Sequence, residues 1–197
     1  PQQLVPDITG VLLAAGHSRR FGSNKLLAVI DKLALVLRAA ASLSPCTRLV
    51  AVVRRDDLPL QSLLKEASIE LVFNDRTDSD MGASIAYGVS ASKNSKGWCV
   101  LPADMPFVLP STTQEIVTSL QQNATLAAPF YNGRRGHPVG FSHDLVSELM
   151  ALDKEPGARG IVEKNIQRLT MINTNDAAIL VDIDTPDDLR SSIEPSR

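Results

Sequence analysis

The segment VLLAAGHSRRFGSNK (residues 11–25) joins an apolar run to a stretch of small residues bounded by Gly16 and Gly22. Its basic side chains are those of Arg19, Arg20 and Lys25. Small residues let a phosphate approach backbone N–H groups, and basic side chains add charge-assisted hydrogen bonds to the same anion. The segment therefore predicts a phosphate-binding loop, with a solvated basic turn as the alternative interpretation. It matches neither the Walker A motif, G-x-x-x-x-G-K-[ST], nor the dinucleotide-binding fingerprint, G-x-G-x-x-G.

Polar residues also occur where other apolar runs end. Asn74 closes one run, Asp104 closes another, and Asp182 and Asp184 lie in the last one. Ligands of open α/β sheets bind outside the carboxyl ends of the strands, so we expect these side chains to meet at one edge of the sheet. Taken alone, Asp104 is typical of a turn or a helix cap, and residues 185–188 form a good helix start.

Strand-length apolar runs alternate with segments of helical composition along the chain. The predicted strands are 10–16, 48–53, 69–74, 97–104, 125–131, 137–142, 169–174 and 179–184. The predicted helices are 33–43, 58–67, 82–92, 111–122, 143–152, 157–165 and 185–193, the fourth with Ser111 as its N-cap. This alternation predicts an α/β fold with a mostly parallel sheet, and the length predicts a single domain over 1–197.

Composition excludes several classes of protein. The formal net charge is −2 and aromatic residues are 4%, which argues against nucleic acid as a partner. No apolar run approaches the roughly 18 residues that span a membrane, and the first residues lack the pattern of a signal peptide. Cys46 and Cys99 have neither metal-ligand nor redox spacing. We therefore expect a soluble cytoplasmic protein.

Four segments together resemble a known family. Residues 14–25 resemble the A-A-G-x-S-x-R-M-G-x-x-K signature of nucleotidyltransferases, most closely that of the MobA-like group. LPADMPFV (101–108) resembles the G-D-M-P segment of that family, and RRGHPVGFS (134–142) resembles its G-H-P segment. LVDIDTPDDL (180–189) is similar to the ending of molybdenum cofactor cytidylyltransferases. Four motifs in the same order make this match specific.

The resemblance implies a fold and a reaction. The fold is a three-layer α/β/α Rossmann-like sandwich with a mostly parallel mixed sheet, as in nucleotide-diphospho-sugar transferases. The reaction is transfer of CMP from CTP to the phosphate of molybdopterin or molybdenum cofactor, with release of pyrophosphate. It implies Mg²⁺ as the cofactor, with Mn²⁺ as the alternative ion, and a molybdoenzyme as the partner protein.

The resemblance also assigns roles to residues. Arg20, Lys25 and Asp104 are the implied catalytic residues, and Asp104 and Asp184 the implied metal ligands, with Asp182 as a weaker candidate. The implied nucleotide-binding residues are Leu13, Ala14, Ala15, Gly16, Ser18, Arg20, Gly22, Lys25, Asn74, Gly82 and Ser84. Arg135 and His137 are the implied acceptor-binding residues, and a structural role for the histidine stays open.

The resemblance implies the type of reaction more narrowly than it implies the base of the nucleotide or the acceptor. Cytidylyl-transferring relatives have the A-A-G form that this chain has at Ala14–Gly16, whereas guanylyl-transferring relatives usually read A-G-G. Phe21 replaces the usual Met of this family, and Ala103 replaces the usual Gly before Asp104, where its methyl group takes up room beside a bound phosphate. The alternatives are a guanylyltransferase, a cytidylyltransferase of sugar or polyol phosphates, and a chaperone that binds molybdenum cofactor.

Overall fold

The structure, a computed structural model, describes residues 5–16, 24–76, 81–154 and 158–193. The strands are β1 (Val5–Leu13), β2 (Val29–Ile30), β3 (Leu33–Ala34), β4 (Arg48–Arg54), β5 (Glu70–Asn74), β6 (Ser95–Pro102), β7 (Leu126–Tyr131), β8 (Arg134–Arg135), β9 (Val139–Ser142) and β10 (Leu169–Asn173). The helices are α1 (Leu35–Ser42), α2 (Leu58–Glu66), α3 (Met81–Ala91), α4 (Pro110–Gln121), α5 (Val146–Met150), α6 (Arg159–Lys164) and α7 (Pro186–Ile193). Short 3-10 helices cover Lys25–Leu27, His143–Leu145, Ala151–Lys154, Ile166–Arg168 and Ala177–Leu180. None of the helices in these ranges is long and apolar enough to cross a membrane.

Eight strands form one mixed sheet, in the order β10-β7-β9-β6-β1-β4-β5, with β8 paired to β7. The central strand β1 pairs in parallel with both β4 and β6. The parallel pairs β4–β5 and β7–β10 extend the sheet, and β9 runs antiparallel to both β6 and β7. The carboxyl ends of the parallel strands therefore lie at one edge of the sheet. The amino end of the antiparallel strand β9 lies at the same edge.

Helices cover both faces of this sheet, which confirms the predicted three-layer α/β/α sandwich. One apolar cluster packs α1, α2 and α4 on the sheet, with Leu35, Leu60 and Ile116 fully buried. A second cluster packs α3, α5 and α6 on the opposite face. Strand β1 sends Leu12 into the first cluster and Val11 into the second, which explains why its last three residues, 11–13, are all apolar.

Helix α3 packs directly on strands β1 and β4 at Gly88. A Cβ atom at this position would lie 2.6 Å from Val11 Cγ1 and 3.1 Å from Val52 Cγ2. Glycine weakens a helix by about 1 kcal/mol relative to alanine, so close packing is the reason for this residue here. The close approach brings the first turn of α3 beside the end of β1.

Several predicted elements differ from the observed ones in type or bounds; strand 10–16, for example, is observed as Val5–Leu13. Residues 33–34 form β3 of a short hairpin, so the first helix begins only at Leu35. The predicted helix 143–152 is divided into two 3-10 turns around α5. Helix α4 begins at Pro110, whose fixed φ suits the first helical position, so Ser111 is not the N-cap.

The predicted strand 179–184 is wrong. Residues 177–180 instead form a 3-10 helix, which the side chain of Asp176 starts by accepting a hydrogen bond from the Ala178 N–H at 3.1 Å. The chain beyond it runs to α7 without forming a ladder of the sheet. Its Ile183 N–H donates instead to the carbonyl of Asp104 at 2.8 Å.

Candidate active site at the carboxyl edge of the sheet

Lys25, Asp104 and Asp184 meet at the carboxyl edge of the sheet. The ammonium Nζ of Lys25 donates to Asp104 Oδ2 and to Asp184 Oδ1, each at 3.0 Å. The side chain of Lys25 is 13% exposed, that of Asp104 is 24% exposed, and that of Asp184 is 45% exposed. The structure thus brings together three residues that lie up to 159 positions apart in the sequence.

Local hydrogen bonds hold the backbone beside Lys25. Asn24 starts the 3-10 helix by accepting from the Leu26 N–H at 3.3 Å. Its amide nitrogen donates to both carboxylate oxygens of Asp57, at 2.9 and 2.8 Å. Asp57 is also the N-cap of α2 and accepts from the Leu60 N–H. The N-cap residue of α2 therefore also fixes the backbone position from which the Lys25 side chain extends.

The two aspartates are positioned by backbone hydrogen bonds. The Ala103 N–H donates to the Leu13 carbonyl at 2.9 Å, which ties the end of β6 to the end of β1. The N–H of Asp184 donates to Asp188 Oδ2 at 2.9 Å. The same oxygen accepts from the N–H and hydroxyl of Thr185, so residues 185–188 form a capping box at the start of α7, as predicted.

A third carboxylate, that of Asp182, completes an acidic group at the same place. Carboxylate oxygens of Asp104, Asp182 and Asp184 lie within 4.8 Å of one another. Mg²⁺ takes oxygen ligands at about 2.0–2.1 Å, so oxygens on opposite sides of one ion lie about 4.2 Å apart. The oxygen donors are of the kind that a hard divalent cation takes, and both Asp182 and Asp184 lie close enough to Asp104 to be candidate ligands beside it.

The electric charges at this point shift the pKa values of two groups. Burial lowers the pKa of Lys25, but the attraction of Asp104 and hydrogen bonds to Asp104 and Asp184 outweigh it, so the pKa is raised. Burial raises the pKa of Asp182, and repulsion by Asp184 and Asp104 raises it further. The lysine is therefore a firmly charged cation, and the site favours any group that brings additional positive charge.

A cavity of about 240 Å³ opens beside this cluster. Five of the predicted nucleotide-binding residues line it: Leu13, Ala15, Gly16, Lys25 and Ser84. The candidate metal ligands Asp104 and Asp184 line it as well. The predicted residues Ser18, Arg20 and Gly22 lie outside the described residues.

Three other predicted nucleotide-binding residues do not line this cavity. Ala14 is buried, and its N–H donates to the Val52 carbonyl at 2.9 Å. Asn74 is buried too, and its side-chain nitrogen donates to Ser84 Oγ at 3.0 Å. Gly82 is buried in the first turn of α3. Asn74 is therefore placed to orient Ser84.

The predicted acceptor-binding residues Arg135 and His137 line two further cavities. One, of about 410 Å³, has apolar walls from the sheet, α3 and α6. The other, of about 360 Å³, borders Asp104 and Asp182 and also includes Arg134. Gly136 allows this arrangement, since a Cβ atom there would lie 2.3 Å from the Ile179 carbonyl oxygen.

Burial makes His137 a neutral side chain. Desolvation, helped by the positive charge of Arg135, lowers the pKa of His137 to about 4. Its backbone N–H donates to the Ile179 carbonyl at 3.0 Å, which joins the start of β9 to the segment that leads to Asp182. At neutral pH the ring therefore offers hydrogen bonds without charge.

Met81 is a site residue for which sequence reasoning proposed no role. Its side chain is 50% exposed and contributes to the walls of all three cavities. The one sequence signal is that Met81 comes directly before the predicted helix 82–92; its exposure is known only from the structure.

Comparison with known proteins finds similar chains for most of this sequence. The family model described as MobA-like NTP transferase domain matches residues 10–169. Nicotine blue oxidoreductase of Paenarthrobacter nicotinovorans is 26% identical over 194 residues, covering 92% of this chain and 94% of the relative. Purine catabolism protein PucB of Bacillus subtilis (strain 168) is 27% identical over 204 residues, covering 93% and 94%.

A solved structure shares the whole fold. Rv0371c from Mycobacterium tuberculosis H37Rv superposes with a TM-score of 0.84 at 22% identity, covering 96% of this chain and 100% of that one. The same protein has been solved as a complex with manganese, with a TM-score of 0.79. This likeness shows that the sandwich described above is the fold of Rv0371c as well.

Proposed function

Because the chain belongs to the MobA-like NTP transferase domain family, we propose that it transfers CMP from CTP to the phosphate of a molybdopterin-type acceptor and releases pyrophosphate. The observation that carries this proposal is the cluster of Lys25, Asp104 and Asp184 beside a cavity at the carboxyl edge of the sheet. Transfer between two anionic phosphates requires positive charge held beside them. Lys25 supplies one positive charge, and Asp104 and Asp184 supply carboxylates that would hold a divalent cation.

In the proposed reaction, an oxygen of the acceptor phosphate forms a bond to the α-phosphorus of CTP. The bond from that phosphorus to the bridging oxygen of the β-phosphate breaks, and its electron pair leaves with pyrophosphate. The acceptor phosphate is already ionised near neutral pH, so no side chain has to remove a proton. A divalent cation held by Asp104 and Asp184 supplies electrostatic stabilisation of the phosphate charges when it is bound.

The residues of the chain bind and orient the two substrates. Lys25 and the backbone at Gly16 hold the phosphates of CTP, and Arg20 is proposed to join them. Ala15 lies beside the base, where its methyl group takes up room that a purine would need. Arg135 and His137 contact the acceptor from the side of the two neighbouring cavities. The positions of Lys25, Ala15 and Gly16 around the 240 Å³ cavity support these roles.

The experiment that tests the function is pyrophosphate release from each of the four ribonucleoside triphosphates, with and without molybdenum cofactor. We expect release with CTP in Mg²⁺ or Mn²⁺, dependent on the cofactor, and little with GTP. Comparable release with GTP contradicts the choice of base. Release only with sugar or polyol phosphates contradicts the acceptor, and cofactor binding without any release supports the chaperone. Turnover of a redox substrate, without pyrophosphate release, contradicts the reaction.

A variant pair tests the role of the site. Asp104→Ala removes one carboxylate of the cluster, and we expect the rate of pyrophosphate release to fall by about 10²–10³-fold. Asp144→Ala, at an exposed residue paired with Arg168 at 3.4 Å, is the matched control and is expected to keep the wild-type rate. Near-normal turnover in Asp104→Ala contradicts the assignment.

A further inference from the structure

The ammonium group of Lys25 occupies the space between two carboxylates that are also the candidate metal ligands. Its Nζ lies 3.0 Å from Asp104 Oδ2 and 3.0 Å from Asp184 Oδ1. With the side chain only 13% exposed, the lysine is enclosed rather than lying across the surface. It partly neutralises three carboxylates whose oxygens lie within 4.8 Å of one another.

A divalent cation needs the same oxygen atoms. Two cations a few ångströms apart repel each other, by about 4 kcal/mol per pair of unit charges at 4 Å where the effective dielectric constant is 20. A cation that binds Asp104 and Asp184 must therefore displace the lysine ammonium or bind weakly beside it.

We propose that Lys25 is an internal counter-ion that holds the divalent-cation position of the nucleotide-free protein. The cation binds well only after the ammonium has moved away, so metal binding depends on nucleotide binding. This inference rests on the proposed function only for the second half, in which a triphosphate draws the lysine away.

The geometry allows this movement to be confined to one side chain. Hydrogen bonds from Asn24 to Asp57 and from the Leu26 N–H to Asn24 fix the backbone on both sides of Lys25. The lysine side chain has a flexible four-carbon stem and three donors. It also lines the 240 Å³ cavity, so phosphate oxygens bound there offer the ammonium new acceptors within its reach.

The test measures Mn²⁺ binding in the absence of nucleotide, by the electron paramagnetic resonance signal of free Mn²⁺. The proteins compared are the wild type, Lys25→Met, Lys25→Gln and the control Lys65→Met, which removes an exposed lysine of α2. We expect Lys25→Met and Lys25→Gln to bind Mn²⁺ at least about tenfold more tightly than the wild type. Lys65→Met is expected to match the wild type.

Thermal unfolding with and without Mn²⁺ provides a second readout. The midpoint of both Lys25 variants should rise more with Mn²⁺ than that of the wild type, because the metal replaces the missing positive charge. Mn²⁺ affinity equal to or weaker than that of the wild type in both variants overturns the proposal, as does a rise of the unfolding midpoint with Mn²⁺ that is no larger than the rise in the wild type. No turnover is measured, so this failure is distinguishable from a failure of the proposed function.

Discussion

At the scale of single residues, side chains from three distant parts of the chain form the site. Lys25 follows β1, Asp104 follows β6, and Asp184 precedes α7. The family resemblance named all three, and the structure brings their side chains together. Taken alone, Asp104 is typical of a turn or a helix cap, so local sequence without the resemblance does not single it out. The buried position of Asn74 was not predictable, since only the folded chain shows that its amide group is directed at Ser84.

Met81 provides a prediction at this scale, because it lines the 240 Å³ cavity and both cavities beside it. Met81→Ala removes part of a wall that the three cavities share. If the chain has the proposed function, we expect the KM for the acceptor to rise about tenfold, the size of effect typical of lost apolar contacts in a pocket. Stability should change little because the side chain is 50% exposed.

Met171→Ala is the matched control for this change. Met171 is 56% exposed on the edge strand β10, away from the three cavities. Steady-state kinetics with each substrate varied in turn, together with urea unfolding, separates a specific effect from a general one. Equal KM values in the two variants would contradict a role for Met81 in placing the acceptor.

At the scale of elements, hydrophobic pattern predicted most strands and helices but not the path of the chain from 177 to 184. Residues 179–184 alternate like a strand, yet Asp176 stops the chain from joining the sheet. Its carboxylate is buried and accepts from the Leu109 N–H, the Thr112 hydroxyl and the Ala178 N–H. Two of these partners lie 64 and 67 positions away, so no local pattern could reveal them.

Two helix glycines give a prediction about the packing of α3. Gly88→Ala places a methyl group 2.6 Å from Val11 Cγ1, and overpacking of this kind costs about 1–3 kcal/mol. The better helix propensity of alanine returns up to about 1 kcal/mol. We therefore expect a net loss of about 1–2 kcal/mol in the free energy of unfolding.

Gly160→Ala in α6 is the comparison for this prediction. Nothing lies within 4 Å of a Cβ atom at Gly160, so the free energy of unfolding should stay constant or rise by up to about 1 kcal/mol. Urea unfolding of both variants measures the difference. Similar stability in the two would mean that α3 can move away from the sheet at little cost.

At the scale of the whole molecule, the parallel sheet is what makes one site out of separate motifs. Alternating strands and helices predicted this arrangement, because parallel strands end at a common edge. The antiparallel strand β9 brings His137 to that edge from the opposite direction, since it begins where β6 and β7 end. The sequence pattern predicts a mostly parallel sheet and the family resemblance implies a mixed one, but neither shows which strand reverses.

The buried side chain of His137 makes the free energy of unfolding depend on pH. Its pKa is about 4 in the folded protein, below the ordinary value of 6.5. Between these values the unfolded chain binds a proton at this side chain and the folded chain does not. The stability that comes from the neutral ring is thus complete above pH 6.5 and is lost as the pH falls towards 4.

We therefore expect the wild type to lose up to about 3 kcal/mol between pH 7 and pH 4 through this residue. Asp182 acts in the opposite direction, because its raised pKa favours proton uptake by the folded chain.

The test is the difference in the free energy of unfolding between the wild type and His137→Gln, measured by urea unfolding between pH 7 and pH 4. That difference should narrow as the pH falls, because only the wild type carries the cost of keeping the ring neutral. The ring protons of the three histidines of the chain give an independent check by nuclear magnetic resonance. Titration of His137 near pH 6.5, or a difference that stays constant with pH, would show that its ring is solvated and that the start of β9 is not packed against residues 177–180.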